Sequence, residues 1–219
     1  MVPVYMGQLD SCRARGQNPL ERIFVSPFVD PLSNSLRSWE PMPKEMRASG
    51  RSGKQSFPEV LRDAERDLFS SGDQSGELFA SLRRLFSSYM QFDRKTSFMG
   101  VYLNHKNVLV LGPFVGPPTI HDLIPISRGV VGRCADIGET IVVADVTNCE
   151  YYLSCCEEVR SEIVIPLVKD QTVVGVLDLD SPVVNAYTKK DLEQLDRVAQ
   201  LTTHSAAVLA DRLQLRAHW

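Results

Sequence analysis

The stretch Ser161–Ser181, S-E-I-V-I-P-L-V-K-D-Q-T-V-V-G-V-L-D-L-D-S, constrains this chain more than any other. Ser161 to Val168 is apolar and β-branched, which predicts a strand. Lys169-Asp170-Gln171-Thr172 is a polar break of hairpin length, and Val173 to Asp180 predicts the return strand. Side chains alternate faces along a strand. Val173, Gly175, Leu177 and Leu179 therefore share one face, and Val174, Val176, Asp178 and Asp180 share the other. The second face carries two carboxylates about 7 Å apart along the strand, and Glu162 adds a third acid to the hairpin. Like charges on a partly buried face are unfavourable unless something positive sits between them. A ligand ammonium, a nearby Arg or a cluster of backbone amides would serve. The alternative is a strand end that exits into solvent, with Asp180 capping the Ser181-Pro182 turn.

Three of the five cysteines, Cys149, Cys155 and Cys156, lie just ahead of this hairpin. Thiols facing carboxylates across a small pocket suggest sulfur chemistry on a small polar ligand. An odd number of cysteines in 219 residues argues for reduced thiols in a cytoplasmic setting over a disulfide framework. No C-x-x-C pair or His/Cys spacing suggests zinc, and His105, His121, His204 and His218 are scattered, so no metal is expected. A net charge of −3 gives no electrostatic case for nucleic acid. No apolar run approaches the roughly 20 residues of a membrane span, and no basic-then-apolar signal pattern opens the chain.

With 43% hydrophobic residues the chain can bury one substantial core. Residues 1–55 read as a flexible or loosely docked extension, with eight Lys/Arg against five Asp/Glu and an apolar I-F-V-S-P-F-V run at 23–29. Cys12 in it reads as incidental. A folded domain is expected over residues 56–219. Ser56-Phe57-Pro58-Glu59 resembles a helix start. Ser75 caps a second helix with the stripe Leu78, Phe79, Leu82, Leu85, Phe86 and Tyr89, either core or a homodimer surface. Strands are expected at Ser97–Leu103 and Val108–Leu111 around an Asn104–Asn107 turn. Gly112 to Pro118 reads as an irregular loop. A third strand follows at Thr119–Ile124, then a short helix at Ser127–Gly138 with Ser127 as cap, then a strand at Thr140–Ala144. After the hairpin, Thr188 and Asp191 form a capping box for a long final helix. This order predicts an α+β domain: a mostly antiparallel sheet of about six strands, with N- and C-terminal helices on one face. The cysteine segment would lie over the other face.

The order of elements resembles a GAF domain. L-G-P-F-V-G-P-P (111–118), R-G-V-V-G (128–132), S-E-I-V-I-P-L (161–167) and G-V-L-D-L-D-S-P (175–182) resemble the free methionine-(R)-sulfoxide reductases over about residues 75–200. The resemblance implies reduction of the free amino acid's sulfoxide by a cysteine thiolate, through a sulfenic acid. The reactive cysteine of that family lies seven residues before the Glu of S-E-I, which is Cys155. The substrate-contacting acids fall on Glu162, Asp178 and Asp180. The aromatic wall falls on F-M-G-V-Y, with Phe98 in place of a Trp and Tyr102 matching. The chain departs where the family carries two further cysteines, since His121 and Val131 stand there. Cys156 replaces the Asp that commonly follows the reactive cysteine.

The resemblance implies Cys155 as nucleophile and Glu162 as proton donor, with Asp178 and Asp180 holding the substrate ammonium and Phe98 and Tyr102 packing on its S-methyl group. Arg160 or His121 would stabilise the thiolate. Cys156, Cys149 and Cys134 are candidate resolving thiols, beside an external reductant, either a thioredoxin-like protein or a small thiol. No bound cofactor is expected. The role implied is defence against oxidative stress. The alternative is a non-catalytic GAF module that senses a small molecule or redox state, or a scaffold that dimerises through its terminal helices.

Overall fold

A computed structural model describes residues 4–5, 56–71 and 75–216. The extension expected over residues 1–55 lies outside them, Val4–Tyr5 excepted. The elements are β1 (Val4–Tyr5), α1 (Phe57–Ser71), α2 (Ser75–Asp93), β2 (Phe98–His105), β3 (Val108–Val115), β4 (Leu123–Pro125), α3 (Gly129–Ile137), β5 (Thr140–Val143), β6 (Ser161–Lys169), β7 (Thr172–Ser181) and α4 (Lys189–Arg216). The strands form one sheet in the order β1-β5-β6-β7-β2-β3-β4. Six of them are mutually antiparallel, and β1 adds a two-residue parallel edge on Thr140 and Ile141 of β5. This is the expected α+β, GAF-like fold.

The two hairpins close as their sequences dictate. Lys106 and Asn107 between β2 and β3, and Asp170 and Gln171 between β6 and β7, all take positive φ. Positive φ at both central residues is the mark of the two-residue turn whose twist suits flanking strands. The expected capping box at Thr188–Asp191 forms, and the expected helix start at Ser56 closes in the same way. The Ser56 hydroxyl and backbone N–H donate to Glu59, each at 2.8 Å. The Thr188 hydroxyl and N–H donate to Asp191 at 2.6 and 2.7 Å.

One face of the sheet is a hydrocarbon layer. Met99, Val101, Leu103, Ile163, Ile165, Leu167, Leu177 and Leu179 pack against Val60 of α1, Leu78, Leu82, Leu85, Phe86 and Tyr89 of α2, and Leu195, Val198 and Leu209 of α4. The α2 stripe is therefore core. Each such fully buried side chain contributes about 1.5–3 kcal/mol. The opposite face carries Tyr102, Leu109, Val164 and Val176, covered by Val130, Val131 and Cys134 of α3 and by the loop holding Cys149, Cys155, Cys156 and Val159. The cysteine segment lies where the alternation placed it.

Four expectations need correction. The Gly112–Pro118 stretch is not wholly irregular, because β3 runs through Gly112 and Pro113 to Val115. Gly112 and Pro113 together oppose Val101 in a bulge, and β4 pairs only with Val108–Val110. Proline is tolerated at such a bulge, where no ladder bond is asked of it. The third strand covers Leu123–Pro125, not Thr119–Ile124. Ile120 is 79% exposed and has no buried face to join. Ser127 does not cap α3: the cap position is Arg128, and Ser127 takes φ 73° and donates to Asp136 at 2.7 Å. Lastly, the extra residue Val174 in β7 shifts the register between Leu167 and Val168. Val173 therefore joins the cluster of Val176, and Val174 packs on the helical layer.

Candidate active site

The hairpin register builds the acid cluster. Glu162 pairs with Asp180 and Val164 with Asp178 across β6 and β7. On the other side of β7, Phe98 pairs with Asp180 and Gly100 with Asp178. Directly opposed residues share a face, so Glu162, Asp178, Asp180, Phe98 and Tyr102 all point to the α3 side. The three acids are each 4% exposed, and one carboxylate oxygen from each lies within 4.8 Å of the others. Asp180 does not cap the following turn. Ser181 does that, accepting from Val183 N–H at 3.1 Å and donating to the Lys95 carbonyl at 2.7 Å.

Among the described residues no cation pairs with this cluster. Glu162 Oε2 and Asp178 Oδ1 find no hydrogen-bond partner among the surrounding groups, and the two side chains interact with each other, a proton held by Glu162 favouring the charge on Asp178. Burial, then the mutual charges, raises Glu162 and Asp178 well above the carboxylate range. Burial raises Asp180 to about 7. The cluster is therefore held partly protonated, and a cation entering it would meet charge that the fold leaves uncompensated.

Cys155 stands at the edge of the cluster. It is half-buried, and its thiol donates to Asp180 Oδ2 at 3.5 Å. Burial raises its pKa first, and Asp180 and Asp178 raise it further. Arg160, expected as a thiolate partner, is exposed and acts on Asp145 instead. Cys155, Cys156, Glu162, Asp178, Asp180, Phe98 and Tyr102 all line one cleft with Thr119, His121 and Tyr152.

The cysteines in the described residues are all unpaired. Cys134 is fully buried beneath the acids and donates to the Val164 carbonyl at 3.5 Å. Cys149 is buried at 8% exposure, while Cys156 is half-buried beside Cys155. Cys155 and Cys156 therefore face the cleft, and Cys134 and Cys149 pack as small hydrophobes.

The aromatic wall is a stack. The Phe98 and Phe114 rings lie 5.7 Å apart at 25°, and a Cβ on Gly100 would come within 2.9 Å of both side chains. Gly100 is what lets the two rings meet. Tyr102 donates from its hydroxyl to the His121 carbonyl at 3.0 Å.

His121 proves to be a clasp across the cleft mouth. Its N–H donates to Thr119 Oγ1 at 3.1 Å, and its Nε2 lies 3.1 Å from the carbonyl of Ser154, next to Cys155. Strand reading had hidden this role. Tyr152 was also missed, although the Tyr151-Tyr152 pair ahead of the cysteines is an aromatic signal. Its buried hydroxyl makes no close hydrogen bond; burial, then the charges of Asp180 and Cys155, raise its pKa, and its interaction with the thiol lowers that of Cys155.

Residues 76–204 match the GAF domain family. The free methionine-R-sulfoxide reductase of Escherichia coli is 36% identical over 146 residues, covering 65% of this chain and 87% of that protein. The X-ray structure of the free methionine-R-sulfoxide reductase from Neisseria meningitidis, in complex with its substrate, superimposes with a TM-score of 0.62 at 28% identity. It covers 75% of this chain and 96% of that one. The substrate complex of the Staphylococcus aureus protein gives 0.60 at 28% identity, covering 72% and 100%.

Proposed function

The chain belongs to the GAF domain family and groups there with the free methionine-R-sulfoxide reductases, an oxidoreductase family, and from that premise we propose that it reduces free methionine-(R)-sulfoxide through Cys155. The observation that carries the reading is the thiol of Cys155 set 3.5 Å from Asp180 at the rim of three buried, cation-free acids.

The substrate ammonium enters between Asp178 and Asp180, whose charges lack a protein partner. This selects the free amino acid over a peptide, in which that nitrogen is an amide. Phe98 and Tyr102 bound the apolar side and receive the S-methyl group. Cys155 attacks the sulfoxide sulfur as Asp180 takes its proton. Glu162, kept neutral by burial and by Asp178 and Asp180, supplies a proton to the sulfoxide oxygen. The oxygen passes to the cysteine, giving methionine and Cys155 sulfenic acid. Sulfur is reduced in the substrate and oxidised in the enzyme, so the step balances without a cofactor.

The acids that select the substrate also hold the thiol protonated. The bound ammonium offsets that field, so substrate binding lowers the Cys155 pKa at the moment the nucleophile is needed. The sulfenic acid condenses with an external thiol, or with Cys156 beside it, to a disulfide and water, and a further external thiol then reduces that disulfide to free Cys155. Cys134 and Cys149 are buried away from it.

The test is a single turnover. Reduced protein is mixed with free methionine-(R)-sulfoxide and no other reductant, methionine is quantified, and the cysteines are mapped by mass spectrometry. About one methionine per chain with oxidation at Cys155, and none from Cys155→Ser, is expected. Tight binding without methionine release would assign the pocket to a sensor instead.

A further inference from the structure

Two tyrosines among the described residues line the cleft, and they differ in where their protons go. Tyr102 donates to the His121 carbonyl at 3.0 Å. The Tyr152 hydroxyl is buried and makes no close hydrogen bond. Buried hydroxyls are seldom left in that state, and this one shares the cleft with the thiol of Cys155. We propose that Tyr152 is a further catalytic residue, whose hydroxyl donates a hydrogen bond to the Cys155 sulfur when it becomes a thiolate. The donor role stands on the placement of the two side chains; its use in turnover rests on the reductase reading.

The local fold presents this side chain to the thiol. Tyr152 N–H closes a turn on the Cys149 carbonyl at 3.1 Å. The neighbouring rings part there. Tyr151 takes the guanidinium of Arg133 on α3 at 4.4 Å from its ring centre. Tyr152 lines the cleft and packs, as Cys155 does, against the apolar cluster under α3.

The thiol needs a donor because its surroundings oppose ionisation. Burial raises its pKa, Asp180 and Asp178 raise it further, and the interaction with Tyr152 lowers it. Tyr152 is itself held protonated, first by burial and then by the charges of Asp180 and Cys155. It therefore acts as a donor and not as a base. When the S–H bond of Cys155 breaks, the proton passes to Asp180, the electron pair stays on sulfur, and Tyr152 keeps its own proton. A neutral donor suits this cleft. An Arg or Lys in its place would stabilise the thiolate but would also neutralise Asp178 and Asp180, removing the charge that attracts the substrate ammonium. The hydroxyl assists the sulfur and leaves the acids uncompensated.

The experiment compares the full-length wild type with Tyr152→Phe in three readouts. The first is the rate of iodoacetamide alkylation at Cys155 from about pH 7 to about pH 9, located by tandem mass spectrometry. A hydrogen bond to a charged group is worth about ten- to hundredfold, so the thiolate fraction should fall by that factor. The thiolate that remains is more nucleophilic, which offsets about half of the loss on a logarithmic scale. Alkylation should therefore slow about three- to tenfold at each pH. In the second readout, methionine release in a single turnover at saturating methionine-(R)-sulfoxide should slow by a similar factor, with the half-saturating concentration little changed. The third is the melting temperature, which should stand at or above that of the wild type, because an unpartnered buried oxygen has been removed. Alkylation equal to or faster than in the wild type overturns the proposal, a faster rate being what a merely loosened loop would give. A variant that melts lower overturns it too, since the hydroxyl would then belong to the fold. Slowed alkylation in a protein whose wild type releases no methionine would remove the reductase reading alone and keep the donor. Methionine release by the wild type, with alkylation unaltered in the variant, would remove the donor alone.

Discussion

Asp180→Asn separates what this carboxylate does for a ligand from what it does to the fold. Burial raises Asp180 from 3.8 to about 7. In the unfolded chain the group ionises near its ordinary value, so between about pH 4 and pH 7 the unfolded state sheds a proton that the folded state keeps. Its penalty is absent below about pH 4, grows as pH rises, and is constant above about pH 7. At about 1.4 kcal/mol per pH unit, that interval corresponds to at most about 4 kcal/mol. Sharing of charge with Glu162 and Asp178 reduces it, and a gain of about 1–3 kcal/mol on neutralisation is expected. Asparagine keeps the shape. Its carbonyl still accepts from Cys155, and its amide can donate to the orphan oxygens of Glu162 and Asp178. At about 2–4 °C per kcal/mol, the variant should melt roughly 2–12 °C above the wild type at pH 8 and level with it near pH 4. Loss of a charge-assisted contact of about 1.5–3 kcal/mol should raise KM for methionine sulfoxide ten- to hundredfold, and loss of the base that takes the Cys155 proton should lower kcat as well. Thermal unfolding by circular dichroism from pH 4 to 8, with steady-state kinetics, tests both halves. A variant that melts lower at pH 8 with unchanged KM would refute the reasoning and make Asp180 a structural acid.

Glu162→Gln keeps the side chain's shape but cannot deliver a proton, so kcat should fall about 10²–10⁴-fold with a smaller change in KM; an unchanged kcat moves proton donation elsewhere. His121→Ala removes a hydrogen bond of about 0.5–1.5 kcal/mol from the cleft mouth. It should raise KM about two- to tenfold, leave kcat nearly unchanged and speed alkylation of Cys155, while His121→Gln, which keeps a donor, restores much of both. Equal alkylation rates in all three proteins would show that the clasp does not hold the nucleophile. Gly175→Ala drives a Cβ into the Tyr102 carbonyl between β7 and β2. Overpacking of this kind should destabilise the fold by about 1–3 kcal/mol, read in urea unfolding, and a wild-type midpoint would mean that the strands have slack.

Local physics made much of the fold legible. Asn107 and Asp170 sit in turns that demand positive φ, and the Ser56–Glu59 and Thr188–Asp191 boxes each close within four residues. The errors fell where the outcome depends on a distant partner. Gly112-Pro113 looks like a chain breaker, yet β4 leaves that part of β3 unpaired, so its missing N–H is never asked for. Thr119-Ile120 has β-branched residues suited to a strand, but nothing pairs with it. The Thr119 hydroxyl accepts from His121 N–H instead.

The site divides along the same line. Asp178 and Asp180 were readable as a pair because alternation is a property of one strand, but Glu162 meets Asp180 only because the extra residue Val174 shifts the hairpin register by one; an unshifted two-residue turn would set Glu162 opposite Leu179. Phe98 reaches Asp180 from 82 positions away, and Cys155 reaches it from a loop with no periodicity. Both were placed only through resemblance to a family. Charge balance was open in a different sense. A sequence reading can find three acids but cannot say whether an Arg folds over them, and Arg160, the nearest candidate, turns outward. The absence of a cationic partner among the described residues turns the cluster from a structural pair into a binding site. Buried acids that destabilise the fold and hold the nucleophile protonated gain on both counts from one event, the arrival of a positive charge. In the proposed reaction, selectivity for a free amino group and activation of Cys155 are therefore two consequences of the same electrostatics.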